Sequence, residues 1–195
     1  MSQNRSSKAD IVPVVVGFFL IAVAMRLVPH EYNFTAIGAL GLFVGYYWSA
    51  GIGVLVSLAA MSVSDLVGQW FGIPSMGAYS VALMLTVYVA MALSALVGKV
   101  ITAERLRRIP LFCKVPGGAL IATVIFFLVT NFASWLDPQM GYEMSLLGLL
   151  QSYWSALPFA TNNLVGNLFF SVAFFATYEG ILAPQLNTAK QTIES

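Results

Sequence analysis

Six apolar segments, at residues 11–28, 34–48, 51–67, 79–98, 116–136 and 159–182, constrain this chain more than any other feature. The hydrocarbon core of a bilayer is about 30 Å thick, and a helix of about 20 apolar residues crosses it. No water reaches that core, so every backbone N–H and C=O must be satisfied within the structure, which a helix does segment by segment. The expected fold is an all-α integral membrane bundle of six transmembrane helices. Composition agrees: 59% of residues are hydrophobic and 9% charged, with a mean hydropathy of +0.84. Soluble domains run nearer about 45–50% and 25%. A single transmembrane domain at 11–183 is expected between polar tails at 1–10 and 184–195. No room is left for a soluble domain or a nucleic-acid-binding module.

Lys and Arg set the orientation. With the N-terminus in the cytoplasm, the inner side holds Arg5, Lys8, Lys99, Arg105, Arg107, Arg108, Lys114 and Lys190, and the outer side only Arg26. Cytoplasmic loops carry such an excess. The same rule divides residues 34–67, which read as one very long span. A single helix there would put the basic loop 99–114 outside. Two short helices keep it inside, with Tyr46, Tyr47 and Trp48 in an interfacial aromatic belt. Both termini are then cytoplasmic. Arg5, Lys8 and Ala22-Val23-Ala24 also resemble a cleavable signal peptide, but Arg26 follows the apolar run directly, so a retained first helix is expected. Residues 145–157 are apolar but too few to cross. Gln151, Tyr153 and Trp154 suit an interfacial or re-entrant helix there, ended by Pro158.

The strongly polar residues of these helices gather at the outer ends. Arg26 closes the first helix and is followed by Pro29, His30, Glu31 and Asn33. Asp65 and Gln69 end the third, with Trp70 next; Asn131 and Trp135 end the fifth; Asn163 and Asn167 begin the sixth. Each of these pairs is spaced i,i+4, which puts both side chains on one helix face. Charge inside a membrane is costly and faces protein or a wet cavity. Arg26 and Asp65 are therefore the expected ion pair. Any one of these residues fits a structural clamp as well as a site, since asparagines bridge membrane helices for about 0.6 kcal/mol each. As a cluster, with Trp70, Trp135, Tyr153 and Trp154 around it, they point to an outward-facing pocket of aromatic walls and a few directed polar groups.

Catalysis finds no footing. The chain has one histidine, no His-Glu-x-x-His, no nucleophile elbow and no Walker lysine. It is read as neither an enzyme nor a pump that energises itself, and neither a metal nor a cofactor is expected. Glu179 is too isolated to extend a proton relay from Asp65 and His30. The lone Cys113 sits in the loop 99–114, whose mixture of basic and apolar residues suits anionic lipid or a cytoplasmic partner. Gly41-x-x-x-Gly45, and Ala90, Ser94 and Gly98, permit close helix contact, within the bundle or with another subunit.

Arg26-Leu-Val-Pro-His-Glu-Tyr-Asn33-Phe34-Thr35, the following Ala-Ile-Gly-Ala-Leu-Gly-Leu-Phe, Ser64-Asp65 and Val129-Thr130-Asn131-Phe132-x-x-Trp135 resemble a family of uncharacterised bacterial six-helix membrane proteins. Ala36 stands where that family usually has proline. The family is in turn similar, more weakly, to the substrate-binding S components of energy-coupling-factor vitamin transporters. Those have six helices, cytoplasmic termini and an outward pocket capped by loops after helices 1, 3 and 5. The resemblance implies capture of a vitamin or its precursor at the bacterial cytoplasmic membrane, by a protein that meets lipid, a small organic solute and a transmembrane coupling subunit with its ATPases. In that reading Arg26 pairs an anionic group of the ligand, Asn33, Asn131, Asn163 and Asn167 orient it, and the tryptophans stack on a ring. The first helix has no clean Ala-x-x-x-Ala row for such a coupling subunit, and the chain lacks the Met-His start of metal-binding S components. The reading from a different class is a structural or assembly protein of a cell-envelope complex, with no ligand.

Overall fold

A computed structural model describes residues 11–28, 31–73 and 80–194. Among the described residues the regular structure is helical: α1 (Val12–Leu27), α2 (Ile37–Tyr47), α3 (Ala50–Trp70), α4 (Val81–Val100), α5 (Leu111–Leu136), α6 (Leu146–Ser155), α7 (Leu157–Thr177) and α8 (Ala183–Glu194). Three of the helices, α3, α4 and α5, together with the continuous run Leu157–Leu186, are long and apolar enough to cross a membrane. The chain is thus a membrane-type helical bundle. The helices α1 and α2 are shorter, at 16 and 11 residues.

The short α2 is the axis of the bundle. Every residue from Ile37 to Gly45 is buried, and α1, α3, α4, α5 and α7 all pack around it. Small residues make this possible. A Cβ on Gly45 would strike the backbone carbonyl of Ala95 in α4, and one on Gly98 would strike that of Leu42 in α2. Gly41 faces the hydroxyls of Ser57 and Ser94. The small-residue pattern of the sequence is thus spent on an internal crossing of α2, α3 and α4, where backbones approach closely. Aromatic rings close the other side. Phe18 of α1 stacks on Phe174 of α7 with centroids 4.1 Å apart, and Phe43 of α2 meets Phe18 and Phe175 edge-on at 5.0 and 5.3 Å.

The break between α2 and α3 falls at Trp48–Ser49, where the Ser49 hydroxyl oxygen accepts from the Ile52 N–H at 3.2 Å as an N-cap. Elsewhere the boundaries differ from those expected. The fifth apolar segment begins at Leu111 rather than 116, because the Pro110 carbonyl accepts from the N–H groups of Cys113 and Lys114 and starts the helix early. Pro116 then lies inside α5 and forgoes a single helical hydrogen bond. Pro158 opens α7 rather than ending α6, in the first turn where a missing N–H costs nothing. The expected tail at 184–195 is helical through Glu194. A π turn at Tyr178–Leu182 precedes Pro184 and lets α7 run on into α8.

Two contacts fix which helix ends lie together. The Ser80 hydroxyl caps the Leu83 N–H at the start of α4 and donates to Asp137 just past α5. At the opposite end, the Tyr47 hydroxyl of α2 donates to Glu179 in the π turn, so the acid that is isolated in sequence has a partner.

Candidate functional site

Arg26 and Asp65 meet as the sequence suggests. The Arg26 Nη2 in the last turn of α1 lies 2.8 Å from Asp65 Oδ1 in α3, as an ion pair rather than an aligned hydrogen bond, and both residues are buried. The Tyr88 hydroxyl of α4 donates to Asp65 Oδ2. Arg26 Nη1 also meets the Met61 sulfur one turn before Asp65, and the Ser64 hydroxyl donates back to the Met61 carbonyl at 2.9 Å. One acid thus ties three helices together. Tyr88 was not foreseen. It stands alone among apolar residues in α4, and nothing in its spacing marks it.

Asn163 and Asn167, both in α7 and almost fully buried, form a second group. Asn167 Nδ2 donates to Asn163 Oδ1 at 3.0 Å and to the Thr123 hydroxyl oxygen of α5 at 2.9 Å. Asn163 Nδ2 reaches the Asn33 carbonyl at 3.4 Å, and the neighbouring Asn162 donates to the Tyr32 carbonyl at 3.1 Å. These bonds pin the segment before α2. The side chain of Asn33 is exposed, and what the residue supplies is a left-handed backbone at φ 65°, which asparagine tolerates better than most side chains. Asn167 Oδ1 has no partner among the described residues and lies against Gly38, where a Cβ would collide with it.

The other expected residues lie apart from these two groups. Asn131 Nδ2 donates to the Phe127 carbonyl of its own helix at 2.7 Å, and Trp135 Nε1 to the Glu143 carbonyl at 2.8 Å. With the Ser152 hydroxyl on the Asn131 carbonyl at 3.2 Å, they fasten α6 and the segment before it onto α5. Gln69 and Trp70 are exposed at the end of α3, Trp70 at 88%. His30 lies outside the described residues. Spacing of i,i+4 assigns a shared helix face but not a shared neighbour. The four stripes therefore resolve into an ion-paired group, an asparagine group and a fastening for α6. Among the described residues no three His, Cys, Asp or Glu side chains converge to hold a metal ion.

Two concavities lie on a different flank. One, of about 720 Å³, is lined by Phe127 of α5, by Leu147, Leu150, Gln151 and Trp154 of α6, and by Leu157. The second, of about 470 Å³, shares Phe127 and Leu157 and continues past Thr123, Val124 and Ala160. Of the aromatic walls expected from the sequence, Tyr153 and Trp154 line the first concavity, whereas Trp70, Trp135 and the described polar candidates line neither.

Residues 6–189 match the model of a family described as a family of unknown function (DUF6580). The chain belongs to that family. No curated protein matches this DUF6580 chain, and no solved structure does. None of these comparisons shows the expected similarity to vitamin-transporter S components.

Proposed function

We propose that this DUF6580 protein is a solute-binding membrane subunit, or a small solitary transporter, for an organic micronutrient carrying an anionic group. In this reading α1 and α2 cross as well, giving six spans with both termini in the cytoplasm. The protein sits in the bacterial inner membrane and passes its cargo to a coupling subunit with ATPases, or moves it alone. No catalytic step is assigned to it.

The observation that carries the reading is the buried Arg26–Asp65–Tyr88 group. An ionisable pair inside membrane helices is expensive and marks a functional position by default. Arg26 presents a planar guanidinium suited to two-point contact with a carboxylate or phosphate. An anionic ligand entering from the α1 end competes with Asp65 for it, and Tyr88 holds the displaced acid.

Thermal unfolding of the purified chain against a panel of vitamins and their anionic precursors tests this. A ligand at a hundredfold its dissociation constant adds about 2.7 kcal/mol of stability, a clear upward shift in Tm. Arg26→Lys abolishes that shift, because a point charge replaces the fork. Protein that shows no shift with any compound, and no co-purified small molecule in native mass spectrometry, overturns the proposal.

A second reading has its own observation. Asn163 and Asn167 spend their amide donors on the bundle itself, on the Asn33 carbonyl, the Asn163 side-chain oxygen and the Thr123 hydroxyl oxygen, as in a structural or assembly protein of the cell envelope. In that case Asn167→Ala lowers stability without altering any uptake.

A further inference from the structure

The two concavities between α5, α6 and α7 form one continuous groove, since Phe127 and Leu157 belong to both. Each volume falls in the about 300–1,000 Å³ range of small-molecule sites. The groove opens sideways, however. Its walls at Leu120, Val124, Leu147, Leu150 and Trp154 are exposed, and they continue the apolar outer face of α5, one of the helices long enough to cross a membrane. Whatever fills the groove enters from hydrocarbon and not from water.

Depth identifies the occupant. The α5 wall of the groove runs from Leu120 to Phe127, and beyond it the Tyr153 and Ser152 hydroxyls hold α6 to the α5 backbone at Leu128 and Asn131, at 3.0 and 3.2 Å. The stretch from Leu120 to Phe127 rises about 10 Å, about a third of a hydrocarbon core of about 30 Å. Gln151 and Trp154, the latter a residue that favours the interface, stand at the α6 end, which is fastened towards the C-terminal end of α5. The other end, at Thr123 and Thr161, lies nearer the middle of α5, and there the Thr123 hydroxyl oxygen accepts from Asn167 and the Thr161 hydroxyl donates to the Leu157 carbonyl at 3.2 Å. A transmembrane helix of a partner would need a face running the full thickness, whereas this groove stops at mid-membrane.

We infer that the groove is a binding site for one hydrocarbon chain of a membrane phospholipid, with the ester region at Gln151 and Trp154 and the methyl end at Thr123. The inference depends on α5 crossing the membrane and is independent of the Arg26–Asp65 reading.

Native mass spectrometry of the full chain, released from nanodiscs of phosphatidylethanolamine and phosphatidylglycerol, tests the site. The wild type retains one phospholipid per chain. Ala160→Phe, which fills the α7 wall, and Leu147→Asn, which makes the α6 wall polar, each lower the lipid-bound fraction about tenfold, equivalent to about 1.4 kcal/mol. Leu55→Asn, on the exposed face of α3, leaves it unchanged. Leu147 is itself an exposed position, so its variant keeps the test decisive if Ala160→Phe does not fold. Equal retention in both groove variants overturns the site, as does equal loss in Leu55→Asn. A lipid-free dimer that Ala160→Phe dissociates also overturns it and makes the occupant a second copy of the chain.

Discussion

Removing Asp65 and removing both members of its ion pair have different consequences. Asp65→Ala leaves the Arg26 guanidinium buried without its acid and the Tyr88 hydroxyl without its acceptor. Breaking one side of a buried pair typically costs about 3–5 kcal/mol, while exchanging both sides for apolar groups of similar volume is often neutral. Asp65→Ala should therefore lower the unfolding midpoint in detergent strongly, and Arg26→Met/Asp65→Leu should recover most of the loss. The double variant also separates the two functional readings. A stable double variant that no longer responds to any anionic ligand assigns the pair to binding; one indistinguishable from wild type in both respects assigns it to packing. Asn33 makes a smaller, independent test. Its φ of 65° is free for glycine but costs a β-branched residue about 1–2 kcal/mol, so Asn33→Val destabilises in the same assay and Asn33→Gly does not.

Among the elements, α2 bears the tightest steric limits. Gly45 and Gly98 face backbone atoms of the partner helix, which cannot swing aside. Overpacking of this kind costs about 1–3 kcal/mol, so Gly45→Ala and Gly98→Ala should each lower stability by that order. Gly17 of α1 has open space where its Cβ would go, and Gly17→Ala should be neutral or stabilising, since alanine is the better helix former by about 1 kcal/mol. If all three variants unfold at the same denaturant concentration, α2 is not packed as described. These elements also show how far the sequence can be read. Small residues at i,i+4 announce a close crossing, and the basic loop 99–114 divides residues 34–67 into two helices although no charge marks the break near Trp48; neither names the neighbour, because a helix face records what it tolerates and not what it meets. Arg26 and Asp65 were legible as a pair because buried charge demands its opposite. Asn131 was read as facing a pocket, yet an amide can satisfy itself on the carbonyl four residues back. Trp70, at a helix end, had no packing constraint to turn it inward.

At the scale of the molecule, the remaining issue is how many of these helices cross. The 11 residues of α2 rise about 16 Å, well short of a core of about 30 Å, so length alone does not carry the chain back across after α1. The hydrogen bonds supply a second argument. Asn162 and Asn163, in the second turn of α7, hold the carbonyls of Tyr32 and Asn33, so the segment that follows α1 lies level with the start of α7. The start of α7 follows α6, which is fastened beside the last turns of α5. Ser80 and Asp137 set the start of α4 level with that same end of α5. The segments 31–35 and 137–145 therefore share one side, and the basic loop with Arg105, Arg107 and Arg108 lies on the other. Thiol labelling reads this directly. Cys113, the chain's one cysteine, is exposed at the basic end, so a membrane-impermeant maleimide should miss it in intact cells and label it in inverted vesicles. In a Cys113→Ser background, Tyr32→Cys and Glu143→Cys, both at exposed positions, should label from outside. If Glu143→Cys labels from outside and Tyr32→Cys only from inside, α1 and α2 do not cross as a pair, and the protein has four spans with α2 as a buried wedge at the centre of the bundle.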